Sequence, residues 1–210
     1  MNASDQHRAI FRHVEQNIGR IHQAYDEIIS DELRIQIIHV KSSLFRPYEV
    51  LVTAGMSVVP MSVPDAETPS RAEIVTILPK SWPLGSEAFL DERHYWPIRL
   101  MKDLARYPVH HRTWLGFGHT VANGSSPDDL APYAPGIGFC AAILLPAPSL
   151  GEKAFCMKVP SETYFWTAVP LYAAELQFKL AQGADALLDL FDRAKVKDRI
   201  DPRRECAIRA

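Results

Sequence analysis

Residues 93–120 read RHYWPIRLMKDLARYPVHHRTWLGFGHT, and the rest of the chain is organised around this stretch. Proline is tolerated in a first helical turn and excluded from a helix interior, so Pro97 predicts a helix start and Pro108 a stop. Between them Ile98, Met101, Leu104 and Ala105 recur at i, i+3, i+6 and i+7, the stripe of an amphipathic helix packed on a core. Arg99, Lys102 and Asp103 lie mostly off that stripe. The helix runs into an aromatic, glycine-bearing turn that holds Trp114, Phe117, Gly118 and His119.

On either side the chain reads mostly as short strands. RIQIIHV (34–40) is β-branched, EVLVTAG (49–55) is nearly all apolar and therefore central in a sheet, and AEIVTILP (72–79) is a third strand. MSVVPMSVP (56–64) is an extended segment broken by prolines. Past the turn, ANGSSPDDLAPYAPG (122–136) has every local signal of a loop. IGFCAAILLP (137–146) is a strand, and AFCMKVP (154–160) with TYFWTAVP (163–170) predicts a hairpin around Ser161 and Glu162. In its second arm Tyr164, Trp166 and Ala168 share one face, and Phe165, Thr167 and Val169 the other.

Residues 171–193 read as helical, with Gly183 as a break. At the other end, Ile10, Phe11, Val14, Ile18, Ile21, Tyr25, Ile28 and Ile29 predict one long amphipathic helix over 4–30, with Ser4 or Asp5 as N-cap. His7, His13 and His22 are then surface residues of that helix. The expected organisation is an N-terminal helix (1–30), a main domain (31–195) and a basic, solvated tail (196–210). Several neighbouring strands are joined by short loops, and the crossover helices of a doubly wound sheet are missing. The expected fold class is therefore α+β, a mixed, mainly antiparallel sheet with helices packed on it.

The 210 residues are 47% hydrophobic, enough for a real core, with a formal net charge of −2. That balance gives no overall attraction to nucleic acid or to an anionic membrane. The odd, widely spaced Cys140, Cys156 and Cys206 are neither a disulfide framework nor a zinc motif, and they fit reduced thiols. The polar N-terminus MNASDQHRAI lacks the layout of a signal peptide, and no apolar run approaches the roughly 20 residues that span a bilayer. A cytoplasmic protein is expected.

Motifs for chemistry are scarce. G-x-S-x-G, Walker A, G-x-G-x-x-G and H-E-x-x-H are absent. The adjacent His110 and His111 point to opposite faces if extended, and a surface loop suits them. His119, beside Trp114, Phe117 and two glycines, is the candidate general base. It would need an orienting carboxylate, for which Glu73, Asp128 and Asp129 are available. Its structural alternative is to anchor the turn through backbone hydrogen bonds. No cofactor and no metal site is expected.

The series VTAGMS (52–57), ILPKSWPL (77–84), YWPIRLMKDLARYP (95–108), TWLGFGHT (113–120), ANG (122–124), ILLP (143–146) and VPLYAAEL (169–176) resembles the suppressor-of-fused domain family. GADALLDLF (183–191) and the I-D-P-x-R of residues 200–204 resemble its C-terminal signature. The likeness is to the short bacterial, single-domain members and covers roughly residues 30–195.

The resemblance implies a non-enzymatic, protein-binding module. In the animal members this domain is the N-terminal half of a regulator that clasps a short peptide as an added strand. The second domain, and with it half of that clamp, is expected to be absent here. Bacterial members are discussed as immunity proteins or antitoxins that neutralise a toxin. Tyr107, in LARY (104–107), aligns with a tyrosine of the peptide-binding region, and His119 also matches. Gly118 stands where the animal pattern has an acidic residue that engages the ligand, so an animal-type peptide is not expected to bind in the same way.

The candidate partner-binding residues are accordingly Tyr107, Trp114, Phe117, Gly118 and His119. The expected partner is another protein or peptide, a toxin among the candidates, taken by strand addition. A homodimer through the sheet edge or the N-terminal helix is compatible with this reading. The alternative is a small-ligand binder or enzyme using the aromatic cleft near His119.

Overall fold

The computed structural model describes residues 3–26, 33–124 and 129–208. In chain order the elements are α1 (Ala3–Asn17), β1 (Ile21–Tyr25), β2 (Gln36–Val40), β3 (Tyr48–Ala54), β4 (Ala72–Pro79), α2 (Glu92–His111), β5 (Thr120–Ala122), β6 (Ala141–Leu145), α3 (Glu152–Phe155), β7 (Cys156–Met157), β8 (Thr163–Leu171), α4 (Ala173–Gln182) and α5 (Ala184–Ala194). The strands form one sheet in the order β1-β2-β3-β4-β8-β6-β5, with β7 also paired to β8. Every pairing is antiparallel except β4 with β8. The fold is α+β with a mainly antiparallel sheet, as the strand spacing predicts.

Burial follows position in the sheet. All seven residues of β3 and all five of β6 are buried, whereas the end strands β1 and β5 are half-exposed. Helix α2 covers one face, where Ile98, Met101, Leu104 and Ala105 pack with Leu51, Ile74, Trp166 and Ala168. On the opposite face Ile10 and Val14 of α1 meet Val52, Val75 and Phe165, and Leu176 and Phe191 of α4 and α5 cover Ile143 and Val169. The two predicted faces of β8 are thus observed, its even residues against α2 and Phe165 and Val169 on the other side.

Several boundaries differ from expectation. The α2 helix contains both prolines instead of lying between them. Asp91 caps its true N-terminus by accepting from the Arg93 amide (2.9 Å). Both proline rings are buried, so packing partly offsets the missing hydrogen bonds, and His110 and His111 are exposed residues of the last turn, not of a loop.

The expected helix over 4–30 stops at Asn17. Gly19 has φ +150, and a Cβ there would sit 3.1 Å from Val40, so the chain reverses and Ile21–Tyr25 pairs with β2. Ser4 and Asp5 lie in the first turn of α1, not before it, and Ile28 and Ile29 fall outside the described residues. His13 is a core residue, not a surface one. It bonds the Ala154 carbonyl (3.1 Å) and stacks on Phe165 at 4.5 Å.

The first arm of the predicted hairpin is mostly α3 and loop, only Cys156 and Met157 pairing with β8. Leu171 closes β8 and is not helical.

The basic tail does not trail free but is anchored on the domain at Ile200 and Arg204. The Ile200 side chain is buried and its amide donates to the Ile77 carbonyl (2.8 Å). Arg204 forms a bidentate pair with Glu175, both bonds 2.6 Å, and lies against Phe139 and Tyr172. Glu175 is fully buried and also accepts from the amides of Tyr172 and Ala207.

Candidate functional site

The turn after α2 brings four of the five candidate residues together. Arg112 ends the helix in the left-handed region (φ 48), and the Thr113 amide closes on the Pro108 carbonyl (3.0 Å). Leu115 anchors the turn in the core at 2% exposure. Trp114 folds back over the turn and meets the His119 ring at 4.2 Å. That path requires Gly116, where a Cβ would lie 2.7 Å from the indole Cζ3.

Gly118 has φ +73, and its amide donates to the Leu144 carbonyl (2.8 Å), tying the turn to β6. Phe117 is half-exposed at the rim, its ring 6.5 Å from Trp166. Tyr107 is separate: it is half-buried in α2 with its ring on His111 at 4.2 Å. No ring contact joins it to Trp114, Phe117 or His119 among the described residues.

The His119 ring is hydrogen-bonded to the Trp114 backbone. Burial lowers its pKa, with a hydrogen bond to the Trp114 backbone opposing and the nearby Lys179 adding to the decrease. Among the described residues no carboxylate pairs with it. Asp128 lies outside those residues.

Glu73, one of the carboxylates available from sequence, is committed elsewhere. Fully buried, it accepts from Thr53 Oγ1 (2.5 Å), the Gly55 amide (3.1 Å) and the amide and hydroxyl of Ser57 (3.0 and 2.7 Å). Gln6 of α1 continues that network from Ser57 to Thr163 and Ser161. Burial raises the pKa of Glu73 while its four donors oppose the rise. Among the described residues no group of three His, Cys, Asp or Glu is placed to hold a metal ion.

Directly after His119 the chain enters β5, the last strand of the sheet. The Leu144 amide donates to the His119 carbonyl (2.9 Å) and the Asn123 amide to the Cys140 carbonyl (2.7 Å). Residues 119, 121 and 123 therefore face β6, and by antiparallel alternation the backbone groups of Thr120 and Ala122 point outward. Among the described strands only β6 pairs with β5. The edge begins beside the Trp114–His119 pair and Phe117. Three residues, TVA, carry too little periodicity for sequence to reveal this strand.

The family model described as suppressor of fused protein (SUFU) matches residues 31–205. The chain belongs to the suppressor of fused family. The match reaches past residue 195 into the segment that carries Ile200 and Arg204.

Among solved structures, a SUFU homologue from Neisseria gonorrhoeae superposes with a TM-score of 0.72 at 15% identity, over 98% of each chain. A Sufu chain crystallised in a Sufu–Fu complex gives 0.67 at 16% identity, over 97% of this chain and 92% of that one. Drosophila Suppressor of Fused gives 0.65 at 16% identity, and there the match spans 97% of this chain but 51% of the fly protein. These likenesses carry the suppressor-of-fused fold. No curated protein sequence matches the chain.

Proposed function

We propose that this chain is a non-enzymatic protein-binding module that takes an extended segment of its partner along the free edge of β5. The observation that carries this reading is the outward-facing backbone of Thr120 and Ala122 at the end of the sheet, next to the half-exposed Phe117. An added strand gains affinity from main-chain hydrogen bonds and specificity from side chains that meet Phe117, Trp114 and His119. Family membership and the Sufu–Fu complex of a relative support protein binding as the general role. Tyr107, on α2, would touch the partner beyond the added strand. Gly118, without a carboxylate, favours a partner segment different from the animal ligand.

Within this reading the chain sequesters or neutralises another protein in the cytoplasm, a toxin being the candidate class. An acid–base role for His119 is not favoured, because its ring is turned to the Trp114 backbone.

The test is capture of partners from the native host with the wild-type chain and with Thr120→Pro. Proline removes one outward N–H and leaves the inward bonds of residues 119 and 121 intact, as edge strands permit. A partner bound by wild type and lost by T120P, with unchanged circular dichroism, is expected. Equal binding to T120P, or no protein partner in repeated captures, would rule out the β5 edge. Co-expression that relieves the toxicity of a captured partner would establish the neutralising role.

A further inference from the structure

The C-terminal segment, instead of extending into solvent, folds back beside the ends of β3 and β4 and encloses a cleft of about 690 Å³. Lys80 follows β4, while Lys195, Lys197 and Arg199 come from the segment after α5, and all four line this cleft. Their side chains make no ion pair and no hydrogen bond among the described residues, and Arg199 stands 5.4 Å over the ring of Tyr48. Two carboxylates, Asp201 and Glu205, also line it, which leaves an excess of positive charge even when Arg204 is counted as neutralised by Glu175.

The basic tail is thus concentrated at one cleft in a chain of net charge −2. This concentration does not serve the fold, since the segment is already fixed by Ile200 and Arg204. Asp198 adds a further anchor, accepting from the amide and hydroxyl of Ser149 (2.7 and 2.5 Å). The three lysines are thus carried on an anchored segment and the end of β4 without an ion pair or hydrogen bond of their own among the described residues. An anion entering the cleft would meet this excess positive charge.

We propose that this cleft binds a ligand bearing phosphate. Its volume falls in the range of small-molecule sites, roughly 300–1,000 Å³. Several flexible ammonium groups around one guanidinium suit a compact, multiply charged anion better than a planar carboxylate, which pairs best with a bidentate arginine. The site lies on the segment that was expected to trail in solvent, and it is independent of the β5 edge.

The experiment is isothermal titration of the full chain with inorganic pyrophosphate and with AMP, and co-sedimentation with phosphatidylglycerol or phosphatidylcholine vesicles, all at low salt. Saturable binding is expected, weakened tenfold or more in the Lys80→Ala/Lys197→Ala double variant and unchanged in Lys158→Ala. Lys158 is an exposed cation that lines no part of the cleft, so it shows what the loss of one remote positive charge does to binding. Because Lys80 and Lys197 are exposed and unpaired, their removal leaves the fold intact, which a thermal melt verifies.

Binding of pyrophosphate or AMP identifies a free phosphate ligand. Binding of phosphatidylglycerol vesicles alone identifies a lipid headgroup. No saturable binding in either arm, equal weakening by Lys158→Ala, or a poly-glutamate peptide bound as tightly as pyrophosphate would each overturn the proposal.

Discussion

Glu73 carries a proton balance that depends on its surroundings. The folded chain holds the protonated form more tightly than the unfolded chain does, because burial raises the pKa above its ordinary 4.5. The stability this group contributes is complete below pH 4.5 and is lost as pH rises through the raised folded value. In Glu73→Gln the amide oxygen takes over the three donors at Oε1 and the amide nitrogen donates to Thr53, which mimics the protonated acid. Urea melts between pH 4.5 and 8.5 should give a flatter stability profile for E73Q than for wild type; parallel profiles would refute the assignment. Glu73→Ala strands the buried donors of Thr53, Gly55 and Ser57 and should cost about 3 kcal/mol at the acid end of this range and less as pH rises.

None of this network was legible in the sequence. Glu73 begins a strand whose alternation says only that it faces the side opposite Ile74. Its partners come from Thr53, Gly55 and Ser57, which meet it only when β3 and β4 pair. His119 was partly legible: the glycines and aromatics around it mark a turn, and the anchoring alternative is the one its geometry favours.

At the scale of elements, hydrophobic pattern located the strands because it is a local property, and it failed where one residue overrides it. The apolar spacing of residues 10–25 continues past Gly19, so periodicity alone extends α1 through a reversal. In α2 the error runs the other way, since proline reads as a boundary but is retained inside when burial of its ring partly offsets the cost. Pro108 has no N–H for the Leu104 carbonyl, a position that disfavours proline by about 3 kcal/mol relative to alanine. Trimming its buried ring forfeits roughly 1.6 kcal/mol, two methylenes at about 0.8 each. Pro108→Ala should therefore raise stability by about 1 kcal/mol in a denaturant titration, and a loss of stability would mean that packing of the ring dominates.

The C-terminal segment was misread as a free tail because its charge was legible and its partner was not. Glu175 lies 29 residues from Arg204 along the chain, on another element, and is fully buried. Arg204→Ala would leave that carboxylate buried without its cation, at a cost of about 3–5 kcal/mol. Arg204→Lys, which cannot form both bonds at once, should recover only part of it. Thermal melts of the two variants check this, and equal stability of wild type and R204A would show that the pair adds nothing.

For the whole molecule, fold class was legible from the absence of crossover helices, whereas strand order was not. The single parallel pairing, β4 with β8, joins the meander β1–β4 to the half of the sheet that contains β5, β6 and β7. The candidate binding edge therefore lies in the second half, three strands from β4, while the cationic cleft draws on the end of β4 and the segment after α5. The two surfaces are separate, so T120P and the Lys80/Lys197 variant should each spare the other's binding.

That same pairing sets a timetable for synthesis. Ala72 is opposite Tyr164, so β4 emerges from the ribosome roughly 5–20 s before its neighbour at ordinary translation rates. Throughout that interval the growing chain presents an open, strongly apolar strand, the kind of surface on which nascent chains stick to one another. Glu73, the second residue of β4, meets water until β8 covers this edge, and its carboxylate when ionised sets a charge near the start of the vulnerable strand. The residue that later sits buried in the core is, for those seconds, a guard against self-association. E73Q, though as stable once folded, should yield less soluble protein per chain translated, an effect that faster elongation or co-expressed chaperones would diminish.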